Sequence, residues 1–243
     1  MDGEPVCCQG RVRPTTRRLT RVPVARPSQW SSLFDIAGSI IDQAQRAAYP
    51  FEWTFGGGTA LMLQIDHRES HDIDLFLDDP QVLPFLNPGT QGYALDRAPD
   101  GYDTDGSHVL KLTFGEVGEI DFICCASITE RPANRVTVRG REVLLETPSE
   151  IIAKKIYYRG SRLQPRDMFD LAAVVTREGE EYVAAALRQC GPDRCAAALR
   201  VAEAMSPKLA IGVISQLMYR EHQLPLVRKA QTLTQAALRA ALT

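Results

Sequence analysis

Asp72 and Asp74, two aspartates separated by one residue, are the side chains of this sequence whose type and spacing most directly suggest chemistry. They lie in an alternating stretch that predicts a strand, in which residues two apart point to the same side. Neighbouring carboxylates repel each other and raise each other's pKa unless a cation lies between them. Mg²⁺ takes one or two carboxylates and completes its shell with phosphate oxygens, so the pair predicts a metal site for a nucleotide.

A run of glycines, Gly56 to Gly58, precedes the aspartate pair and opens a predicted helix behind a short predicted strand. Glycine lets the backbone approach a ligand closely, and the N–H groups at a helix start favour an anion such as phosphate. Glycine turns are also common for steric reasons alone, so this prediction depends on the nearby aspartates. Ser70, two residues before Asp72, either contacts a phosphate or caps a turn.

A third carboxylate, Asp121, lies in another predicted strand with apolar neighbours, where an unpaired acid is costly. Together with Asp72 and Asp74 it could hold two metal ions, one on a triphosphate and one that lowers the pKa of an attacking hydroxyl. Nucleotidyl transfer needs this arrangement. The alternatives are an exposed acidic strand face for the pair, and a salt bridge from Asp121 to Arg68 or Lys111.

The elements that must position these residues change character at Pro148. Before it, hydrophobic periodicity predicts a helix over 28–47 and a second helix that opens at the glycines. Alternation and turn signals predict strands over 53–55, 72–77, 108–114, 117–124, 134–138 and 142–145. After Pro148 the chain is rich in Ala, Leu, Arg and Glu, which predicts about five helices. Strands followed by helices indicate an α+β protein.

The composition is that of a globular protein, with 243 residues, 44% hydrophobic residues and a net charge of −2. It excludes fibrous and wholly disordered classes. No apolar run approaches the roughly 18–20 residues of a membrane span, so we predict a cytoplasmic protein that does not bind membranes. The six cysteines lack a regular framework and are predicted to be free thiols.

The net charge is an average over three unlike segments, which we predict to be a tail and two domains. Residues 1–27 carry +4 without apolar periodicity and are predicted to be disordered. Residues 28–148 carry 8 basic and 19 acidic side chains, a charge of −11. Residues 149–243 carry 14 basic and 9 acidic ones, a charge of +5, which suits an acidic acceptor such as an RNA 3′ end.

Several short strings of the sequence resemble one known family. They are GGTAL at 57–61, HRESHDIDLF at 67–76, the lone Asp121, AKKI at 153–156 and RDMFDL at 166–171. Together they are similar to the AbiEii-type nucleotidyltransferase toxins, which belong to the DNA polymerase β-like nucleotidyltransferase superfamily. The resemblance covers roughly residues 50–175 and implies a small mixed β-sheet with flanking helices, a helical C-terminal domain, Mg²⁺ and an NTP.

The resemblance also implies roles for particular residues. They are phosphate-binding Gly57, Gly58 and Thr59, metal-binding Asp72, Asp74 and Asp121, and functional Lys155 and Asp167. Lys154 is an alternative to Lys155, and a cation beside the triphosphate would in either case neutralise charge that develops during transfer. Asp167 could instead stabilise the start of its helix, and Arg166 could pair with Asp170 across one turn.

The leading hypothesis is therefore an Mg²⁺-dependent nucleotidyltransferase that moves an NMP from an NTP to a hydroxyl and releases pyrophosphate. The resemblance implies the toxin of a bacterial toxin-antitoxin or abortive-infection system, which defends against phage and has a cognate antitoxin. The acceptor would be an RNA 3′ end, such as that of a tRNA, or a protein hydroxyl. The alternatives are an aminoglycoside-like small-molecule nucleotidyltransferase and a non-catalytic binding module of the same fold.

Two further metal motifs are not supported by the sequence. His67 and His71 have helical zinc spacing, but the residues between them look like a loop and no third ligand accompanies them. The acidic stretch 100–105 lacks the closing glutamate of a calcium loop, because Leu112 occupies that position.

Overall fold

The computed structural model describes residues 27–243. Of the predicted tail only Pro27 falls within this range, and Cys7 and Cys8 lie outside it. Among the described residues the strands are β1 Thr54–Gly56, β2 Ile73–Leu77, β3 Gly101–Thr104, β4 Val109–Thr113, β5 Glu119–Cys124, β6 Ala133–Val138 and β7 Arg141–Glu146.

All seven strands form one mixed sheet in the order β3-β4-β5-β2-β1-β7-β6. β2 runs parallel to β5 and antiparallel to β1, and β1 runs parallel to β7. This register places Asp74 beside Asp121 on one side and beside Gly56 on the other. The predicted acidic strands and the predicted glycine turn therefore meet in the middle of the sheet.

The helices are α1 Trp30–Ala47, α2 Gly57–Ile65, α3 Pro88–Gln91, α4 Pro148–Arg159, α5 Pro165–Glu178, α6 Glu180–Arg188, α7 Pro192–Ala204, α8 Pro207–Ile214 and α9 Ala230–Leu242. Shorter 3₁₀ segments span Pro80–Leu86, Gly160–Arg162 and Glu221–Arg228. None of the helices in the described range is long and apolar enough to cross a bilayer.

The two faces of the sheet pack against different parts of the chain. α1 packs on one face, where the rings of Phe34 and Phe55 lie 5.1 Å apart. Alternation along β2 points Ile73 and Leu75 into this core, and both are almost fully buried. The same alternation points Asp74 to the opposite face, toward the helical half of the chain.

The helical half begins where the sequence predicts it. The Thr147 hydroxyl accepts the N–H of Glu150 and so caps α4, and Pro148 occupies the first turn, where its missing N–H costs nothing. α4 and α5 pack against α2. A short backbone pairing adds a second link, because the N–H of Glu69 donates to Met218 O at 2.8 Å and that of Arg220 to His67 O at 3.0 Å.

The α+β fold with a mixed sheet followed by helices is confirmed, with two differences in detail. β3 is mostly exposed and lacks apolar alternation, so only its pairing with β4 makes it a strand. The following turn is closed by Asp105, whose carboxylate accepts the N–H groups of Ser107, His108 and Val109. Six α-helices, rather than about five, follow Pro148 within the described residues. The division into two domains at residue 148 stays a prediction.

Candidate active site

A cavity of about 730 Å³ lies between the Asp74 face of the sheet and helices α4 and α5. This volume is in the range of small-molecule and cofactor sites. Eight of the ten predicted site residues line it, namely Gly57, Gly58, Ser70, Asp72, Asp74, Asp121, Lys154 and Lys155. Thr59 and Asp167 are not among the lining residues.

Asp74 and Asp121 are direct neighbours on β2 and β5. Burial, together with the nearby Asp72, raises the pKa of Asp74. Burial and the Asp74 charge raise the pKa of Asp121 to about 6. Lys111 Nζ forms an ion pair with Asp121 Oδ1 at 3.3 Å and donates a hydrogen bond to Glu119, while Asp121 Oδ1 accepts no well-aligned hydrogen bond among the described residues. Of the two salt-bridge partners considered for Asp121, the structure places Lys111 beside it.

Asp72 and Thr59 are tied to the backbone rather than left free. Asp72 Oδ1 accepts the N–H of Glu119 at 3.1 Å, which joins the start of β2 to the start of β5. The Thr59 hydroxyl donates to Asp72 O at 2.5 Å, and Thr59 is fully buried. The Thr59 hydroxyl holds the aspartate strand, so only the Thr59 amide could contribute to the phosphate cradle, which stays a prediction.

The acidic residues do not form a ready-made metal cage. The described part of the chain contains no cluster of three or more His, Cys, Asp or Glu side chains arranged to hold an ion. The donor set nevertheless fits Mg²⁺, which needs only one or two carboxylates when substrate phosphates supply other ligands. Burial is the main cause of the raised pKa values of Asp74 and Asp121, and repulsion from a neighbouring aspartate adds to it, so a bound cation would stabilise the ionised carboxylates.

Gly57 and Gly58 bring the backbone close to site side chains. Gly57 has a φ of +69°, and a Cβ there would lie 1.8 Å from Asp74 Oδ2. A Cβ on Gly58 would lie 2.8 Å from Ser70 Oγ. Ser70 is buried and its hydroxyl lies at this turn, so the sequence alternative of a phosphate contact stays open to a substrate that reaches Gly58.

We expect Gly57→Ala to reduce activity strongly, because the new methyl group would push Asp74 out of position. The same substitution at Gly92 is a matched control, since Gly92 has the same φ of +69° and nothing within 4 Å of an added Cβ. Backbone strain of about 1 kcal/mol should appear in both variants, measured by thermal unfolding. Loss of transfer should appear only at Gly57, and equal activity of the two variants would contradict the steric argument.

Lys155 belongs to a buried ionic network behind the cavity. Its Nζ lies 2.8 Å from Asp167 Oδ1 and 2.9 Å from Asp170 Oδ2. Arg159 donates to Asp167 at 2.6 Å, and Arg68 makes two hydrogen bonds to Asp170 at 2.7 and 3.0 Å. Burial raises the pKa of both aspartates, but the surrounding cations outweigh it and lower the pKa values, that of Asp170 well below its usual range. The two carboxylates therefore hold the cations in place.

Asp170 does not form the pair with Arg166 that the sequence offered as an alternative. Its partners are Arg68, Lys155 and His67, and the exposed Arg166 side chain lines the cavity instead. His67 is fully buried, and burial lowers its pKa despite the Asp170 carboxylate 2.9 Å from Nε2. The zinc alternative for His67 is therefore replaced by a neutral imidazole bonded to a carboxylate. Arg68 and Asp170 were not predicted as site residues, although both belong to the strings that carry the resemblance.

Asp167 is also a helix-capping residue, as the sequence alternative proposed. Its Oδ2 accepts the N–H of Gln164 at 3.3 Å, next to the start of α5. The same carboxylate bonds Lys155 and Arg159 through Oδ1. Both roles coexist because a carboxylate has two oxygens.

A family model described as nucleotidyl transferase AbiEii toxin, type IV TA system, matches residues 40–242 of the chain. The chain belongs to the AbiEii nucleotidyltransferase toxin family. The matched region extends beyond the part of the sequence on which the resemblance was based, and it includes the whole helical half. The protein is therefore a nucleotidyltransferase of the toxin class. No curated protein sequence matches it significantly.

This AbiEii-family chain is similar to two solved structures. The nucleotidyltransferase toxin MenT4 of Mycobacterium tuberculosis H37Rv shares 17% identity, with 85% of this chain and 83% of that chain covered and a TM-score of 0.52. The antibiotic-resistance factor ANT(2″)-Ia, solved in complex with adenylyl-2″-tobramycin, shares 17% identity over 70% of this chain and 98% of that chain, with a TM-score of 0.43. At these identities the first similarity concerns the fold, and the second is too distant to add to it.

Proposed function

We propose that this protein is an Mg²⁺-dependent enzyme that transfers an NMP from an NTP to an acceptor hydroxyl and releases pyrophosphate. The observation that supports the proposal is the pair Asp74 and Asp121, two neighbouring carboxylates with raised pKa values that face a nucleotide-sized cavity. In a binding module such a pair would only cost stability. In the proposed enzyme the two carboxylates would hold an Mg²⁺ ion, which would supply phosphate polarisation and a lower pKa for the acceptor hydroxyl.

The chain's own residues would divide the remaining work. The amides of Gly57, Gly58 and Thr59 at the start of α2 would receive the triphosphate oxygens. Lys155 would offset the negative charge of the phosphates, held in position by Asp167. Asp72, Asp74 and Asp121 would be the metal ligands, with two ions as the proposed number.

The order of the strands leads us to propose that the nucleotide lies on one side of Asp74, the nucleotide side, and the acceptor on the other, the acceptor side. The glycines follow β1, on one side of Asp74, whereas Asp121 on β5 and Lys111 on β4 lie on the other side. We place the acceptor there, with Asp121 helping to activate its hydroxyl. The charge of +5 over residues 149–243 favours an RNA 3′ end, such as that of a tRNA, over a protein hydroxyl.

The biological setting follows from the family description as a type IV toxin. We propose that the enzyme acts in the cytoplasm, where NTPs are available, that it serves phage defence by abortive infection, and that an antitoxin accompanies it.

The test is transfer of label from each α-labelled NTP to candidate acceptors by the full chain with Mg²⁺. A tRNA mixture, an aminoglycoside and a protein extract are supplied in separate reactions. Labelled RNA supports the proposal, whereas labelled drug with unlabelled RNA favours the small-molecule alternative. No labelled product with any acceptor would refute the proposed transfer.

Metal binding should depend on pH through Asp121. Because its pKa is about 6, the carboxylate is protonated below pH 6 and ionised above it. Binding of Mn²⁺, measured by electron paramagnetic resonance, should tighten up to about tenfold per pH unit as the pH rises toward 6 and level off above it. The Asp121→Asn variant should lose this rise, and an unchanged profile in that variant would assign the titration to another group.

A further inference from the structure

Glu146 is a buried carboxylate with one oxygen left unused. Its exposed fraction is 1%, and its Oε1 accepts from Thr54 Oγ1 at 2.7 Å and from Lys154 Nζ at 2.6 Å. Its Oε2 is also buried, yet it has no hydrogen-bond partner among residues 27–243. An unmade hydrogen bond at a buried carboxylate is costly, so a native structure that keeps one calls for an explanation.

Lys154 is the ion-pair partner of Glu146, and its ammonium group has more N–H donors than Glu146 uses. Its ammonium group carries three N–H donors, and Glu146 Oε1 accepts one of them. Glu150 Oε1 forms a longer ion pair with Nζ at 3.8 Å, the Cys125 thiol is a weak hydrogen-bond partner, and the centre of the Phe76 ring lies 3.8 Å from Nζ. Lys154 is therefore a buried donor held over an aromatic ring beside a buried acceptor.

The backbone makes room for the pair. A Cβ on Gly56 would lie 2.2 Å from Glu146 Oε2 and 2.5 Å from the Phe76 ring. The first glycine of the run therefore leaves space for Glu146, whereas the two that follow adjoin Asp74 and Ser70.

The pair lies in the same cavity as the metal-binding carboxylates, on the nucleotide side. Glu146 is on β7, which neighbours β1, and the order β5-β2-β1-β7 sets it on the opposite side of Asp74 from Asp121. Phe76 is two residues beyond Asp74 on the same face of β2. Around the pair the cavity is lined by apolar and aromatic side chains, namely Phe76, Ile123, Ile151 and Tyr158.

These features match the edge of a nucleobase. Each base carries a hydrogen-bond donor next to an acceptor on its Watson–Crick edge, in an arrangement that differs between bases, and its flat faces suit apolar and aromatic walls. Glu146 Oε2 can accept from the base and Lys154 can donate to it. A phosphate would be repelled by the carboxylate, so the pair suits the base and not the triphosphate.

We propose that Glu146 and Lys154 form the nucleobase subsite, which reads the base of the NTP and sets which NTP is used. This inference rests on the proposed function. It gives Lys154 a role different from that of Lys155, since the first contacts the base and the second balances the phosphates.

The test compares ligands with and without a base, by calorimetric titration of the full chain with Mg²⁺ and no acceptor. The ligands are the four NTPs and inorganic tripolyphosphate, which has the phosphates alone. In Glu146→Gln the affinity for the preferred NTP should fall by about 10- to 100-fold, as expected for one hydrogen bond to a charged group, and the differences among NTPs should shrink. The affinity for tripolyphosphate should stay unchanged.

Glu142→Gln is the matched control, because Glu142 lies on the same strand with an exposed side chain. It should keep the wild-type preference. If Glu146→Gln fails to fold, judged by thermal unfolding, Lys154→Gln and the double variant are titrated by the same criterion.

The outcomes separate this inference from the proposed function. Equal losses of NTP and tripolyphosphate affinity, or an unchanged NTP preference, would each overturn the base subsite without refuting the proposed transferase. A wild-type protein that binds neither NTP nor tripolyphosphate would instead refute the proposed function.

Discussion

Asp74→Asn should lower nucleotidyl transfer by about 10³-fold or more and at the same time stabilise the protein in the absence of metal. Transfer is lost because the variant removes a proposed ligand of the ion, whose stabilisation of the transition state is worth several kcal/mol. Stability rises because the Asp74 carboxylate repels Asp72 and Asp121, and because burial, which raises its pKa, makes its charged form costly. A gain of about 0.5–2 kcal/mol is expected, as for other functional-site residues held at a cost.

The two readouts of this variant are opposite in sign, which distinguishes a site residue from a structural one. Transfer is measured with labelled NTP, and stability by urea unfolding with a metal chelator present. Asp96→Asn is the control, since Asp96 is exposed and has no ion pair among the described residues, and it should change neither quantity. Retained transfer in Asp74→Asn would remove this residue from the proposed mechanism, and a loss of stability would show that its charge is compensated.

Asp170→Asn should be the most destabilising of the charge-removing substitutions in this chain. The Asp170 side chain is fully buried and compensates Arg68 and Lys155, while also accepting from His67. Removing its charge leaves two cations with too little negative charge in a dry environment, which costs about 3–5 kcal/mol. For a protein of this size that corresponds to a fall in Tm of roughly 10 °C.

Asp167→Asn provides the matched comparison for Asp170. Asp167 is equally buried, but its partner Arg159 is about 41% exposed and can turn to water when the pair is broken. The loss of stability should therefore be smaller at Asp167, as measured by thermal and urea unfolding. An equal or larger loss at Asp167 would mean that the capping bond to Gln164, and not ionic compensation, dominates this region.

The chemistry of the site could be recognised from sequence because its main signals are local. Asp72 and Asp74 share a strand face by simple alternation, and Gly57 and Gly58 lie where a strand turns into a helix. The helix start at Pro148 is likewise marked by residues within one turn of it. Such features depend on neighbours in the chain, so one sequence is enough to predict them.

The partners of these residues could not be predicted in the same way, because they lie far apart in the chain. Arg68 and Asp170 are 102 residues apart, and their pairing follows from the packing of α5 against the loop before β2. Glu146 and Thr54 are 92 residues apart and meet only because β7 lies beside β1. No local pattern distinguishes such pairs from solvated surface charges.

Lys154 and Lys155 show the division most clearly. The sequence predicted that a lysine of α4 belongs to the site but left open whether it is Lys154 or Lys155. Adjacent helical residues point about 100° apart, so the two side chains reach different partners. The tertiary structure directs Lys155 to Asp167 and Asp170, and Lys154 to Glu146. The sequence by itself thus determined the acidic strand, the glycine turn and the family, whereas strand order and helix packing decided which charges meet across the cavity.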